Sequence, residues 1–124
     1  MPRLLIVDDD KDLLFLLDAH FRVRGYEVDV AATCEEALRM AAENRPDVVL
    51  LDFCMPKMDG ARFAQILRVD ELTRMTPVVL MSAASASWID ARLEPDPLLR
   101  RIDKPFEFDV LDPLIEELAG APRS

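Results

Sequence analysis

The sequence predicts an α/β domain, a parallel sheet with helices on both faces. Three observations carry this. Short continuous aliphatic runs, such as Leu4-Leu5-Ile6-Val7 and Val48-Val49-Leu50-Leu51, read as strands buried on both faces. Between such runs, apolar residues recur at helical spacing. The two kinds of segment alternate about five times through short connections, with no internal repeat, linker or low-complexity stretch.

The elements follow in order. Leu4 to Val7 is the first strand. Leu13, Leu14, Leu17 and Phe21 form the apolar face of a helix, and Gly25 suits its stop. "YEVDVA" alternates and reads as the second strand. Thr33 caps the next helix, with Glu36 completing a capping box, and Ala37, Leu38, Ala41 and Ala42 give that helix its face. Pro46 ends the connection, and Val48 to Leu51 is the third strand. Residues 60 to 70 carry Phe63, Ile66 and Leu67 as a helical face. Pro77 opens the fourth strand, "VVLM". "SWIDARLE" is a short helix closed by Pro95 and Pro97, and "LLRRID" is a weaker fifth strand. Val110, Leu111, Leu114, Ile115 and Leu118 form the stripe of the last helix. Pro113 is expected near its start, where a missing donor is tolerated.

Composition narrows the function. The 124 residues fit one domain, and 51% hydrophobic content builds a core. Fifteen basic residues against twenty-four acidic ones give a net charge of -9, which favours cations and basic partners over nucleic acid or an anionic membrane. The N-terminal "MPRLLIVDDD" is too short in apolar residues for a signal peptide, and the longest uncharged stretch, residues 75 to 89, does not span a bilayer. A cytoplasmic location is expected. Cys34 and Cys54 have no pairing pattern and read as reduced thiols.

In parallel sheets, function collects at the C-terminal ends of the strands. Asp8, Asp9, Asp52, Ser82 and Lys104 all fall at or just after strand ends. The strand order 2-1-3-4-5 would set the first, third, fourth and fifth ends side by side. Carboxylates converging there repel one another unless a cation sits among them, and a hard divalent ion with oxygen ligands, Mg²⁺ above all, fits. Lys104 supplies a point charge suited to phosphate, and Ser82 a hydroxyl for a phosphoryl oxygen. A carboxylate so placed can attack phosphorus and form an acyl phosphate, and Asp52 at its strand tip is the candidate.

The motifs "IVDDD", "VVLLDFCMPKMDG", "PVVLMSA" and "DKPF", in this order and at these separations, resemble the receiver domain of two-component response regulators, the CheY-like family. The resemblance covers residues 3 to 119 of a chain read as a single receiver domain over 1–124. It implies a flavodoxin-like, doubly wound, five-stranded parallel sheet of order 2-1-3-4-5 with five helices. That order is carried over with the family.

The resemblance also implies roles. Asp52 is the phosphoacceptor. Asp8 and Asp9 hold Mg²⁺ together with Asp52 and the backbone carbonyl of Cys54. Ser82 is the hydroxyl residue, Ala83 the small neighbour that leaves room for the phosphoryl group, and Lys104 the phosphate-binding lysine. The Lys104-Pro105 bond is expected to be cis. The implied function is acceptance of a phosphoryl group from a sensor histidine kinase or a histidine phosphotransfer protein, followed by altered affinity for a downstream protein target. No direct nucleic-acid or membrane contact is expected, and homodimerisation is left open. No enzyme activity is expected beyond transfer to and from its own aspartate. Only "GAPRS" follows residue 119, so no output module is expected within the chain, which reads as a stand-alone regulator or as part of a longer protein.

Two departures stand out. The switch position three residues before Lys104, usually aromatic, is Arg101, and Pro95 and Pro97 replace the usual small-residue ending of the preceding helix. Simpler roles stand beside the sharp ones. Asp10 is a helix cap. His20, the only histidine, is a partly buried or surface residue and not a ligand. Trp88 is equally a core anchor or a contact on an exposed face. Two other classes compete. A pseudo-receiver that is never phosphorylated is disfavoured by the intact set of five residues. A phosphatase with an aspartyl nucleophile would want an acid at position 54, which is Cys.

Overall fold

The computed structural model describes residues 2–53, 58–83 and 96–120. Its elements are β1 (Arg3–Val7), α1 (Lys11–Val23), β2 (Glu27–Ala31), α2 (Cys34–Asn44), β3 (Val48–Asp52), α3 (Gly60–Val69), β4 (Val78–Ser82), β5 (Leu99–Asp103) and α4 (Phe108–Ala119). The five strands are parallel, in the order β2-β1-β3-β4-β5. The "SWIDARLE" helix and Trp88 lie outside the described residues, so four of the five expected helices are described.

Strand period divides the core in two. In β1, Leu5 and Val7 point to one face and Leu4 and Ile6 to the other, and β3 and β4 repeat the split. On the first face pack Ala37 and Ala41 of α2 with Phe63 and Leu67 of α3. The second takes Leu14, Leu17 and Phe21 of α1 with Leu111 and Ile115 of α4. Burying each of these larger side chains contributes about 1.5–3 kcal/mol.

Local chemistry sets the helix ends. Asp10 accepts from the N–H groups of Asp12 and Leu13 at 3.0 and 3.2 Å and so caps α1, as its position suggested. Gly25, at φ 99°, takes the left-handed turn after it. Thr33 Oγ1 accepts from Glu36 N at 3.2 Å, and Asp59 caps α3 through Arg62 N at 2.9 Å.

Two expectations about α4 need correction. Val110 does not belong to its buried stripe and is 59% exposed. The helix also starts earlier than the stripe suggested. With Glu107 as its N-cap, Pro113 stands inside the helix, in the second turn, rather than near the start. There its ring removes a bond to the Asp109 carbonyl, a donor the first turn would not have needed. Among the described residues no helix is long and apolar enough to cross a membrane.

Candidate functional site

The register brings the chemistry together. β1, β3 and β4 lie side by side, with β5 beyond β4, and their C-terminal ends share one rim. Asp52 ends β3, Ser82 ends β4, Asp8 follows β1 and Lys104 follows β5. Main-chain bonds continue past the strands: Asp8 N donates to Ala31 O at 3.2 Å, Phe53 N to Met81 O at 2.8 Å, and Lys104 N to Ser82 O at 2.8 Å. The residues just beyond the strands are thus tied by main-chain hydrogen bonds to their neighbours.

Asp8 is buried. Its Oδ1 accepts from Asp10 N at 2.9 Å, and its Oδ2 accepts from Lys104 Nζ at 3.2 Å. Lys104 Nζ also lies 3.5 Å from Asp52 Oδ1. Burial alone would lower the Lys104 pKa. The charges of Asp52 and Asp8, with the hydrogen bonds to both, outweigh that and raise it above its ordinary value. The lysine is held charged.

Carboxylate oxygens of Asp8, Asp9 and Asp52 lie within 4.8 Å of one another. Three carboxylates face one ammonium, so the cluster keeps an excess of negative charge in a partly desolvated place. Hard oxygen donors at that separation fit a divalent cation such as Mg²⁺. Asp9 is exposed and presents its carboxylate from the solvent side.

Ser82 is 1% exposed, and Ala83 beside it is exposed at the rim. The Lys104-Pro105 bond is cis. Arg101 is half-buried and stands opposite Leu80 in the β4–β5 register, two pairs short of the Ser82–Asp103 pair at the rim. Cys54 lies outside the described residues. The structure thus brings Asp8, Asp9, Asp52 and Lys104 into one cluster with Ser82 on the neighbouring strand end, and sets Arg101 further down β5.

Sequence reasoning missed a neighbour of this cluster. A groove of about 420 Å³ runs between Leu13 and Leu16 of α1 and the turn carrying Pro105, Phe106 and Phe108, with Lys104 on its wall. The two phenylalanines closely following "DKP" were its only trace in the sequence.

Residues 4–116 match the response regulator receiver domain family, and the chain belongs to it. Among curated relatives, the transcriptional regulatory protein PrrA of Mycobacterium tuberculosis is 45% identical over 85 residues, 68% of this chain and 36% of PrrA. The regulatory protein AtoC of Escherichia coli is 35% identical over 114 residues, 92% of this chain and 24% of AtoC. The chain spans about a third or less of the length of these relatives. Among solved structures, the chemotaxis protein CheY4 of Vibrio cholerae superimposes with a TM-score of 0.87 at 26% identity, covering 95% of this chain and 98% of that one. A putative response regulator from Chloroflexus aurantiacus gives 0.82 at 31% identity, covering 96% and 98%.

The fold is therefore the CheY-like, flavodoxin-type one, and the chain is a receiver of two-component signalling. Receivers of this family serve phosphorylation-dependent signalling, interact with histidine kinases and bind Mg²⁺ at an acidic pocket. They are generally signalling modules rather than enzymes. Nothing in the comparisons supports the pseudo-receiver reading.

Proposed function

We propose that this chain is a single receiver domain that takes a phosphoryl group onto Asp52 from the phosphohistidine of a histidine kinase or phosphotransfer protein. The observation that carries the reading is the Lys104 ammonium set between Asp8 and Asp52, at 3.2 and 3.5 Å, above a cluster of three carboxylates.

In the transfer, an Asp52 carboxylate oxygen attacks phosphorus. A P–O bond forms, the P–N bond to the donor imidazole breaks, and its electron pair returns to the ring nitrogen. Lys104 offsets the charge on the phosphoryl oxygens. The Ser82 hydroxyl donates to one of them, and the small Ala83 leaves space for the group. Asp8, Asp9, Asp52 and the Cys54 carbonyl would hold Mg²⁺, which would supply further charge neutralisation at the site.

Phosphorylation then changes the affinity for a downstream protein target by favouring one of two arrangements of the rim. Arg101 replaces the usual aromatic switch residue. A guanidinium does not bury as a ring does, so the readout rests on the rim loops more than on a swing of residue 101. The net charge of -9 favours a protein partner over direct nucleic-acid contact.

Incubation with acetyl phosphate and Mg²⁺, followed by intact mass, tests the reading. Wild type is expected to gain one phosphoryl group and Asp52→Asn none. Equal labelling of Asp52→Asn would remove Asp52 from its role.

A further inference from the structure

His20 sits at a junction that the phosphoryl site does not include. It lies on α1, half-buried, and its ring stacks on Phe108 with centroids 3.6 Å apart and planes 11° from parallel. Its Nε2 is 2.8 Å from Asp112 Oδ1 on α4. Phe108 in turn meets Phe106 edge to face at 6.3 Å. Both phenylalanines wall the groove on which Lys104 also lies. A continuous train of packed groups therefore runs from His20 to the loop that places the Lys104 ammonium.

The charges around His20 are unbalanced. Asp112 and Glu116 of α4 face it or its neighbours, and Arg24 at the end of α1 is the cation they share, at 3.5 Å from Asp112 Oδ2 and 2.6 Å from Glu116 Oε1. Tyr26, before β2, stacks edge-on with Phe21 at 5.7 Å, and its hydroxyl donates to Gly120 O. Two carboxylates thus meet one guanidinium, and a proton on His20 supplies the second positive charge. The same proton places a cation on the face of Phe108. Histidine is the side chain whose ordinary titration falls near neutrality.

We infer that His20 is a positioning residue for Lys104. Through its stack on Phe108 and its pair with Asp112, it fixes the Lys104–Phe108 turn against α1, more tightly when protonated, and so makes the phosphoacceptor site sensitive to pH. The effect on phosphoryl transfer rests on the function proposed above. The effect on Lys104 does not.

The test uses the whole chain. Its single histidine and three lysines make the NMR signals of His20 and Lys104 simple to assign. Both are followed from about pH 5.5 to 8, the span in which histidine titrates. In wild type, the Lys104 Cε signal is expected to shift with the midpoint of the His20 ring. In His20→Phe, which keeps an aromatic stack and loses the proton, that component is expected to vanish, while any response to the carboxylates persists. Asp112→Asn, a second variant should the first not fold, removes the carboxylate partner of His20 and is expected to weaken the Lys104 response. With acetyl phosphate and Mg²⁺, the ratio of wild-type to His20→Phe labelling rates is expected to change roughly two- to fivefold across the step, the size of a cation–π gain at a partly exposed site. Identical pH responses of the Lys104 signal in wild type and His20→Phe, or a Lys104 signal that stays still while the His20 signal moves, overturn the inference. Failure of wild type to label at any pH counts instead against Asp52 as phosphoacceptor, because the NMR arm needs no phosphodonor.

Discussion

Lys104 Nζ lies 3.2 Å from Oδ2 of Asp8, a buried residue whose side chain is 1% exposed. Removing the ammonium leaves a buried carboxylate next to two others. Breaking a buried pair costs about 3–5 kcal/mol. Lys104 keeps a quarter of its side chain in solvent, so screening reduces this to about 1–3 kcal/mol for Lys104→Met. Urea unfolding without metal checks the loss. A variant as stable as wild type would mean that Asp8 is not held by this lysine.

Alkaline pH is expected to destabilise the protein through three groups whose shifts share one sign. Burial, then the charge of Asp59, raises the Cys34 thiol above its ordinary 9.0. Burial, then Glu116, raises Tyr26 above 10.0. Lys104 is raised above 10.5 by Asp52 and Asp8 against the opposing effect of burial. A raised folded pKa gives stability that is complete below the unfolded value and lost as pH climbs through the folded one. Stability is therefore expected to fall above about pH 9, first through Cys34 and last through Lys104. Unfolding free energies across this range, with Cys34→Ala and Lys104→Met, separate the two ends. A flat profile above pH 9 in wild type would contradict all three shifts.

Mg²⁺ is expected to raise the melting temperature, by RT ln(1 + [L]/Kd) in free energy, because it relieves repulsion within the Asp8, Asp9 and Asp52 cluster. Asp9 is the exposed member, so Asp9→Ala removes one carboxylate of the cluster with little damage to the core. That variant is expected to lose most of the Mg²⁺ response and to melt no lower than wild type in its absence. Equal Mg²⁺ shifts in both proteins, by calorimetry, would take Asp9 out of the metal site.

Gly60 opens α3 where nothing larger fits. A Cβ there would stand 2.6 Å from Leu80 Cδ2 and 3.2 Å from Phe53 Cα. Leu80 is fully buried in a packed strand, and Phe53 presents backbone, so neither yields freely. Gly60→Ala is expected to cost about 1–3 kcal/mol despite its better helix propensity. Denaturant midpoints decide, and a stabilised variant would show that propensity outweighs the clash.

Pro113 offers the opposite case. Its ring faces solvent inside α4, so Pro113→Ala removes no packed group and restores a bond to the Asp109 carbonyl. A gain of about 1–3 kcal/mol is expected, the interior-helix penalty of proline. No gain would mean that the second turn of α4 is already relaxed around the ring.

The sequence by itself determined what depends on near neighbours along the chain. Continuous aliphatic runs marked β1, β3 and β4 because strands buried on both faces need no polar side. Asp10 and Thr33 were legible as caps because each bonds N–H groups two or three residues away. Asp8, Asp9, Asp52, Ser82 and Lys104 could be picked out because strand ends are read locally and carboxylates there are conspicuous. Pro113 and Val110 were misplaced for the same reason: a stripe gives the phase of a helix, not its first residue or the width of the face its neighbours cover. What lies across the fold was decided only by tertiary structure. Lys104 meets Asp8 over 96 residues, and His20 meets Asp112 over 92. No periodicity encodes such pairs. The parallel crossovers set one strand end against another and lay α4 beside α1, and only then do distance and burial pair the single histidine with Asp112 and Lys104 with Asp8.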